Sequence, residues 1–220
     1  VWGTTYLGIR IAVHSVPPWF VTGIRQSIAS LLLLGILLYQ KKWETPNWAQ
    51  LKTQLILSSL MIVIANGMTT IAETQITSSL ASLLSATTPI IVFLGSVAIK
   101  IQKFTYQALI GVILGFCGVV FIFWDGIQDL LNPDYRNGII ALFIAILGWA
   151  TGTIYTKKTN VNQTNITQNL FIQFSWAAVV QLIFAFAFSS EIAPEKWTWE
   201  SISAIVYLAA FGSVITFYAF

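Results

Sequence analysis

The residues that could do chemistry in this chain are a few charged groups set in long apolar segments. Arg10 and Arg25 lie inside the first two apolar segments, and Glu73 lies at the end of the third. A charge inside a bilayer costs at least about 2.5 kcal/mol on insertion scales unless it meets water or a partner. The pattern indicates either a structural ion pair with Glu73 as counter-ion or two cations that attract a substrate carboxylate, and both interpretations stay open.

Small and hydroxylated residues form a second feature, in the third and fourth segments. Ser82, Ser85 and Pro89 recur at intervals of three or four, which places them along one side of a helix, and Asn66 precedes them in the third segment. Such a stripe either lets helices approach closely or lines a polar cavity. Pro89 removes a backbone hydrogen bond and predicts a kink of the kind that suits a moving gate.

Aromatic and hydroxyl residues recur in the first and sixth segments, and an indole ring beside a hydroxyl suits a small amphipathic solute. Close helix packing is predicted in the fifth segment, where Gly111 and Gly115 are four residues apart. Structural or gating roles are assigned to these glycines and to Arg10, Glu73 and Pro89. The predicted substrate-binding residues are Trp2, Thr5, Arg25, Asn66, Ser82, Ser85, Trp149 and Thr153.

The composition leaves little from which to assemble a metal site or a catalytic centre. His14 and Cys117 are the single histidine and the single cysteine, so we expect no zinc set and no disulfide framework. No glycine-rich nucleotide loop is visible either. We therefore expect neither enzyme activity nor a cofactor, and the dispersed lysines make nucleic acid an improbable partner.

Long apolar segments dominate the chain, with 56% hydrophobic and 9% charged residues. A helix needs about 20 apolar residues to cross a bilayer, and strands of a membrane barrel would alternate instead. We therefore predict an all-α polytopic membrane protein with the lipid bilayer as partner. Eight spans are predicted: 1–14 (cut short), 18–39, 50–71, 76–99, 104–124, 138–156, 168–189 and 199–220.

Basic residues are unevenly divided between the loops if the spans alternate. Lysine and arginine in short loops stay cytoplasmic, so the amino terminus and the loops 41–49, 100–103 and 157–167 are predicted to be cytoplasmic. The loops 125–137 and 190–198 are then external. One side carries Lys41, Lys42, Lys52, Lys100, Lys103, Lys157 and Lys158, and the other carries Arg136 and Lys196.

The first and second parts of the chain share a repeated sequence pattern. Trp2 and Trp149 are each followed eight positions later by a basic residue, Arg10 and Lys157. A repeat with an odd number of spans places the two halves in opposite orientations, as in secondary transporters. We predict a first five-helix unit at 1–124, a linker at 125–137 and a second unit at 138–220 that is truncated after its third helix.

Several motifs resemble the EamA-type branch of the drug/metabolite transporter superfamily. They are Trp2-Gly3-Thr4-Thr5-Tyr6, Val16-Pro17-Pro18-Trp19-Phe20, the segment from Ala72 to Pro89 and Gly111-Val112-Ile113-Leu114-Gly115. The resemblance implies ten helices in two inverted five-helix units around a central cavity, and it implies export of amino acids or other small metabolites. One departure is Lys100, where many members have a glutamate.

We therefore expect a secondary transporter that works by alternating access, in the bacterial inner membrane. We also expect that the 220 residues alone lack a closed pathway and that two further spans complete it. A multidrug or organic-solute efflux carrier is the alternative, and a non-transporting scaffold or receptor is less favoured. The substrate, the energy coupling and the oligomeric state stay open.

The lysine distribution yields a test of membrane topology. A cysteine introduced at Asn132 should react with an impermeant thiol reagent in intact cells, because 125–137 is predicted to be external. A cysteine at Asn162 should stay unlabelled until the cells are opened. The opposite labelling pattern would reverse the orientation.

Overall fold

The structure, a computed structural model, describes residues 4–41, 43–124, 126–159, 165–189 and 193–216. Within these ranges the chain forms helices and turns and contains no strand, which agrees with the predicted all-helical class. The main helices are α1 (Thr5–Ala12), α2 (Pro18–Gln40), α3 (Trp48–Ala72), α4 (Ser78–Ala98), α5 (Tyr106–Ile122), α6 (Arg136–Thr159), α7 (Ile166–Phe188) and α8 (Trp199–Ile215).

The lengths of these helices bear on the number of spans. By length and composition, five helical runs in the described ranges can cross a membrane, namely those that contain α2, α3, α4, α6 and α7. Helices α5 and α8 are apolar but shorter, and α1 has 8 described residues. The chain is thus a multi-pass membrane protein, while the number of eight spans stays a prediction. Trp2, Asp125 of the predicted linker and Asn162 lie outside the described residues.

Polar side chains fix where several helices begin. Asn47 accepts a hydrogen bond from the Gln50 main-chain N–H at 2.8 Å at the start of α3, and Thr198 does the same for Ser201 at the start of α8. These caps satisfy main-chain donors that a helix leaves free in its first turn. Pro18 opens α2, where its missing N–H costs nothing.

Helix α4 is interrupted where the sequence predicts a kink. Its regular hydrogen bonding stops at Ser85 and resumes at Thr88, so Pro89 lies in the first turn of the second part. Proline lacks the N–H that would continue the ladder and its ring clashes with the preceding turn. The interruption therefore lies immediately before the proline and exposes main-chain groups within the bundle.

Two helices widen locally into π-helix. The widened segments are Ser58–Asn66 in α3 and Leu208–Ile215 in α8, and α3 and α8 are each the third helix of a predicted unit. A π-helical turn displaces the hydrogen-bond register by one residue and is frequent at functional sites. The α3 segment ends at Asn66-Gly67 and the α8 segment contains Phe211-Gly212, two pairs that lie at similar offsets in the two predicted units.

Packing between the two parts of the chain is reciprocal. Helices α2 and α7 run against each other through the centre, where the Ser30 and Ser175 hydroxyls are 2.9 Å apart. Helix α1 packs on α8 as α6 packs on α3, and α2 packs on α8 as α7 packs on α3. Helices α1, α2 and α3 of the first predicted unit correspond to α6, α7 and α8 of the second. With this correspondence, the contact of α1 with α8 matches that of α6 with α3, and the contact of α2 with α8 matches that of α7 with α3.

Amide side chains join α3 to α7. Gln173 donates to the Gln54 side chain at 2.6 Å, and Gln181 donates to the main-chain oxygen of Ile62 at 2.9 Å. Both glutamines and Gln54 are buried. Because a buried amide without a partner is costly, these bonds fix the relative position of α3 and α7.

Helix α5 lies at the edge of the bundle and buries none of its residues. A Cβ placed at Gly111 or Gly115 would meet no atom within 4 Å in the described part of the chain. The close helix contact predicted at these two glycines is therefore not formed there. The physical reason is the peripheral position of α5, whose main neighbour is α4.

A matched pair of glycine substitutions tests this packing. At Gly148 of α6 a Cβ would lie 2.9 Å from the main-chain oxygen of Leu60, which cannot move aside. Gly148→Ala should therefore lower the unfolding free energy by about 1–3 kcal/mol. Gly111→Ala should be neutral or slightly stabilising, because alanine favours helix and meets no neighbour. Thermal unfolding in detergent measures both, and equal losses at the two positions would contradict the packing of α6 on α3.

Candidate functional site

A cavity of about 450 Å³ lies inside the bundle, between α1, α2, α3, α4, α6 and α8. Its volume falls within the range of about 300–1,000 Å³ that is typical of small-molecule sites. Most of the lining is apolar, with a few hydroxyl, amide and charged groups. The lining residues are Thr5, Tyr6, Ile9, Arg25, Ala65, Asn66, Thr69, Ser85, Ala86, Thr88, Pro89, Val92, Ala145, Ile146, Trp149, Thr153 and Gly212.

The structure brings most of the predicted binding residues together at this cavity. Ser82 is not among the lining residues, and Trp2 lies outside the described ranges. Of the residues assigned structural or gating roles, Pro89 lines the cavity and the others do not. The predicted binding residues found in the lining are Thr5, Arg25, Asn66, Ser85, Trp149 and Thr153.

Arg25 is the charged residue of the described lining, and it is 2% exposed. Its Nε donates to the Ser213 hydroxyl at 2.9 Å, and its Nη2 donates to the main-chain oxygen of Gly212 at 3.1 Å. Its Nη1 is buried and has no hydrogen-bond partner among the described residues. The guanidinium is therefore anchored to α8 on one side and keeps an unused donor on the other.

The π-helical segment of α8 explains how Arg25 is held. Gly212 lies within that segment, and a Cβ there would come within 3.3 Å of the Arg25 Nη2. A glycine therefore lets the guanidinium approach the main chain closely. The Ser213 hydroxyl in turn lies 3.4 Å from the Gln26 side-chain oxygen, so neutral groups surround the cation.

Hydroxyl groups supply the other polar contacts. The Thr153 hydroxyl oxygen is buried and has no hydrogen-bond partner in the described chain. Tyr6 forms a side-chain hydrogen bond with Ser85 just before the interruption of α4. The Asn66 amide donates to the main-chain oxygen of Met61 at 3.2 Å, which holds it at the end of the π-helical segment.

Glu73 and Arg10 form a separate cluster beside the cavity. The Glu73 side chain is fully buried, and one carboxyl oxygen accepts a hydrogen bond from the Ser78 hydroxyl at 2.9 Å. The other carboxyl oxygen has no hydrogen-bond partner among the described residues. Arg10 donates to the main-chain oxygens of Glu73 and, at 2.9 Å, of Ile76.

These contacts correct two expectations about the charged residues. Arg25 does not pair with Glu73, because its hydrogen-bonding groups face α8 and the cavity. Arg10 is exposed and does not line the cavity, so the two arginines do not act as a pair of cations there. Sequence alone left both interpretations open, because main-chain carbonyl acceptors leave no mark in a sequence.

Burial changes the acid–base behaviour of Glu73, which lies in the turn between α3 and α4. Removal from water raises the pKa of this carboxyl group to about 7, although the Ser78 hydrogen bond and the charge of Arg10 act in the opposite direction. The protonated form is therefore substantially populated near neutral pH. No group of three or more histidine, cysteine, aspartate or glutamate residues that could hold a metal ion occurs in the described ranges.

Sequence reasoning missed several groups at the site. Tyr6 and Thr69 line the cavity but were not among the predicted binding residues. Thr69 lies three positions after Asn66, so the helical repeat could have indicated it. Ser213 and the Gly212 carbonyl had a weaker indication in the sequence. It was only that Phe211-Gly212 lies at a similar offset in the second predicted unit as Asn66-Gly67 does in the first.

A bundle of apolar helices around a mainly apolar cavity with a few fixed polar groups defines a multi-pass membrane protein with a small-molecule cavity. The sequence profile of the EamA-like transporter family matches residues 1–124 and 136–220. The chain therefore belongs to the EamA-like transporter family, as its motifs suggested.

Two of the relatives that match this chain are named as transporters. The protein named "uncharacterized inner membrane transporter YedA" of Escherichia coli is 32% identical over 227 residues, which cover 100% of this chain and 69% of that protein. The "uncharacterized transporter YoaV" of Bacillus subtilis is 26% identical, with 99% of this chain and 73% of that protein covered. PagO of Salmonella typhimurium is 27% identical, with 97% and 69% covered.

A solved crystal structure has the same fold. It superposes with a TM-score of 0.72 over 98% of this chain and 75% of that chain, at 15% sequence identity. This likeness concerns the fold alone. It agrees with the helical arrangement described above.

The contacts of Arg25 yield a stability test. Arg25→Gln and Ser213→Ala should be non-additive, with a coupling energy of about 0.5–3 kcal/mol, because the two side chains are bonded. Arg25→Gln and Glu73→Gln share no partner and should add to within about 0.5 kcal/mol. Unfolding of the two double variants and their parents measures both terms. Recovery of stability in the Arg25→Gln/Glu73→Gln protein would restore the ion-pair interpretation.

Proposed function

We propose that this transporter is a secondary carrier of small solutes that bear a carboxylate, with amino acids as the leading class. The observation that carries the proposal is that Arg25 is the charged residue of the described cavity lining and that its buried Nη1 has no hydrogen-bond partner among the described residues. A carboxylate accepts charge-assisted hydrogen bonds from a guanidinium, and these are stronger than bonds between neutral groups. Binding would thus satisfy a buried donor that has no partner among the described residues.

The rest of the lining supports a solute with both polar and apolar parts. The Thr153 hydroxyl is a second buried group without a partner, and it can bond a substrate polar atom. No acidic residue occurs in the described lining, so a solute with a net positive charge would meet only the repulsion of Arg25. An amino group of a zwitterion would meet neutral oxygens, such as those of Asn66 and Thr69.

The aromatic and aliphatic part of the lining favours a second candidate function. Tyr6, Ile9, Val92 and Trp149 present a broad apolar surface in the same cavity. Such a surface accommodates amphipathic organic solutes with little dependence on side-chain shape. An efflux carrier for organic acids would use Arg25 in the same way and differ from an amino-acid carrier in tolerating solutes without an amino group.

Alternating access between two inverted five-helix units is the mechanism that we propose. The reciprocal packing of α1 on α8 and of α6 on α3 supports a two-fold relation between units, and so do the π-helical segments of α3 and α8. The units would be 1–124 and the part that begins at 138, joined by 125–137. The cavity lies between them, and interrupted helices at such interfaces are typical of secondary transporters.

Outward transport across the bacterial inner membrane completes the proposal. The relative YedA is named as an inner membrane transporter. The lysine distribution predicts a cytoplasmic amino terminus, which supports the proposed orientation in the membrane. Loaded proteoliposomes or right-side-out vesicles would distinguish efflux from uptake, since solute release and solute entry are measured separately.

Competition experiments on the full-length protein test substrate recognition. Arg25→Gln should weaken inhibition by carboxylate solutes about 10- to 100-fold, because a charged hydrogen bond contributes about 1.5–3 kcal/mol. Neutral analogues, such as amino-acid amides, should be affected less. Thr153→Val should cost less than about tenfold, in line with the loss of one neutral hydrogen bond.

Thr151→Val is the matched control, since Thr151 is exposed on the same helix and bonds to its own main chain. It should leave inhibition unchanged. Equal losses for carboxylates and amides in Arg25→Gln would contradict carboxylate binding. Binding without any movement of solute through the wild-type protein would instead favour a receptor or scaffold.

A further inference from the structure

We propose that Glu73 is the proton-binding site of this transporter and that its release of a proton is coupled to opening of the cavity beside α1. The inference rests on the proposed function, because a coupling site requires a transport cycle. It concerns a group that does not line the cavity and that substrate recognition therefore leaves unexplained.

The geometry around Glu73 separates it from an ordinary ion pair. Its carboxyl group is fully buried, with one oxygen bonded to the Ser78 hydroxyl and the other without a hydrogen-bond partner in the described chain. The neighbouring cation, Arg10, bonds to the main-chain oxygens of Glu73 and Ile76. A buried carboxylate without a bonded cation is unfavourable, so this arrangement suits the neutral, protonated acid.

Tyr6 connects this group to the cavity. Tyr6 lines the cavity, forms a hydrogen bond with Ser85 and interacts electrostatically with Glu73. A solute that enters the cavity therefore contacts Tyr6, whose side chain interacts electrostatically with Glu73. When the cavity opens and water reaches Glu73, the carboxyl O–H bond breaks and the accepting water molecule forms the new O–H bond, with no other bond made or broken.

Several other charged or titratable side chains of the described ranges lie on the elements around the turn between α3 and α4. Arg10 and Tyr6 interact electrostatically with the carboxyl group, and Asp129 is held by the Thr77 hydroxyl at 2.8 Å. Tyr6 and Arg10 lie on α1, the exposed His14 follows α1, and Arg25 lies on α2. Asp129 lies in the short helix after α5, and Tyr135 and Arg136 lie around the start of α6.

Loss of the proton places a charge on a buried carboxyl group, one oxygen of which has no hydrogen-bond partner in the described chain. The charge of Arg10 favours the carboxylate, but Arg10 is bonded to the main-chain oxygens of Glu73 and Ile76, and removal from water is the larger effect. Ionisation therefore favours a conformation in which the turn beside α1 admits water to the carboxylate, and protonation favours the present one. Since burial raises the Glu73 pKa to about 7, the change falls near neutral pH.

The sign of the pH dependence follows from the raised pKa. The folded state binds the proton more tightly than the unfolded state, so stability is greatest below pH 4.5 and falls as the pH rises toward about 7. The melting temperature of the full-length protein should decrease over this interval. Glu73→Gln should remove that decrease, while Glu44→Gln, a change at an exposed glutamate, should keep it.

Transport in proteoliposomes tests the coupling. With a radiolabelled mixture of the common amino acids as probe, wild-type protein and Glu44→Gln should show exchange and also accumulation driven by a pH gradient. Glu73→Gln should keep exchange and lose gradient-driven accumulation. Glu73→Asp should retain accumulation with a shifted pH profile, and it serves as the second variant if Glu73→Gln does not fold.

The outcomes separate the two proposals. Gradient-driven accumulation by Glu73→Gln, or an equal pH dependence of melting in Glu73→Gln and wild type, would overturn the role of Glu73. Exchange by the wild type without any response to a pH gradient would overturn the coupling and leave carboxylate transport intact. A wild-type protein that exchanges no amino acid would overturn amino-acid transport and, with it, the coupling.

Discussion

The buried guanidinium of Arg25 is the interaction on which the cavity depends. A charge placed inside a span must be bonded within the protein, since lipid offers no acceptor. Here the Ser213 hydroxyl and the Gly212 carbonyl supply acceptors, which ties α2 to the π-helical part of α8. Those two bonds leave one donor unused, and the same side chain therefore both joins two helices and defines the charge of the site.

The need to satisfy main-chain groups in an apolar surrounding also explains where helices are irregular. The interruption of α4 lies beside the cavity, and the π-helical segments of α3 and α8 end there. Away from the cavity, α3 is instead regular and bonded to α7 through Gln54 and Gln173. Part of the irregular backbone therefore lies where a cavity occurs, as in secondary transporters.

The two buried ionisable groups, Arg25 and Glu73, lie in different places and have different surroundings. Arg25 faces the cavity with neutral partners, whereas Glu73 lies behind Tyr6 with Arg10 turned to the main chain. Separation keeps the cation available to a solute and leaves the acid free to change its protonation state. A direct ion pair between Arg25 and Glu73 would have neutralised both groups and removed either use.

The sequence by itself determined the membrane class, the positions of the helices and the kink before Pro89, because hydrophobic length and proline chemistry act locally. It also indicated most of the cavity side chains, through polar residues placed in apolar segments. Only the tertiary structure decided that Ser82 misses the cavity, that α5 leaves Gly111 unpacked and that Arg25 bonds to α8. The partners of Arg25 lie more than 180 residues away along the chain, and one of them is a main-chain carbonyl, which every residue possesses and no sequence pattern can single out.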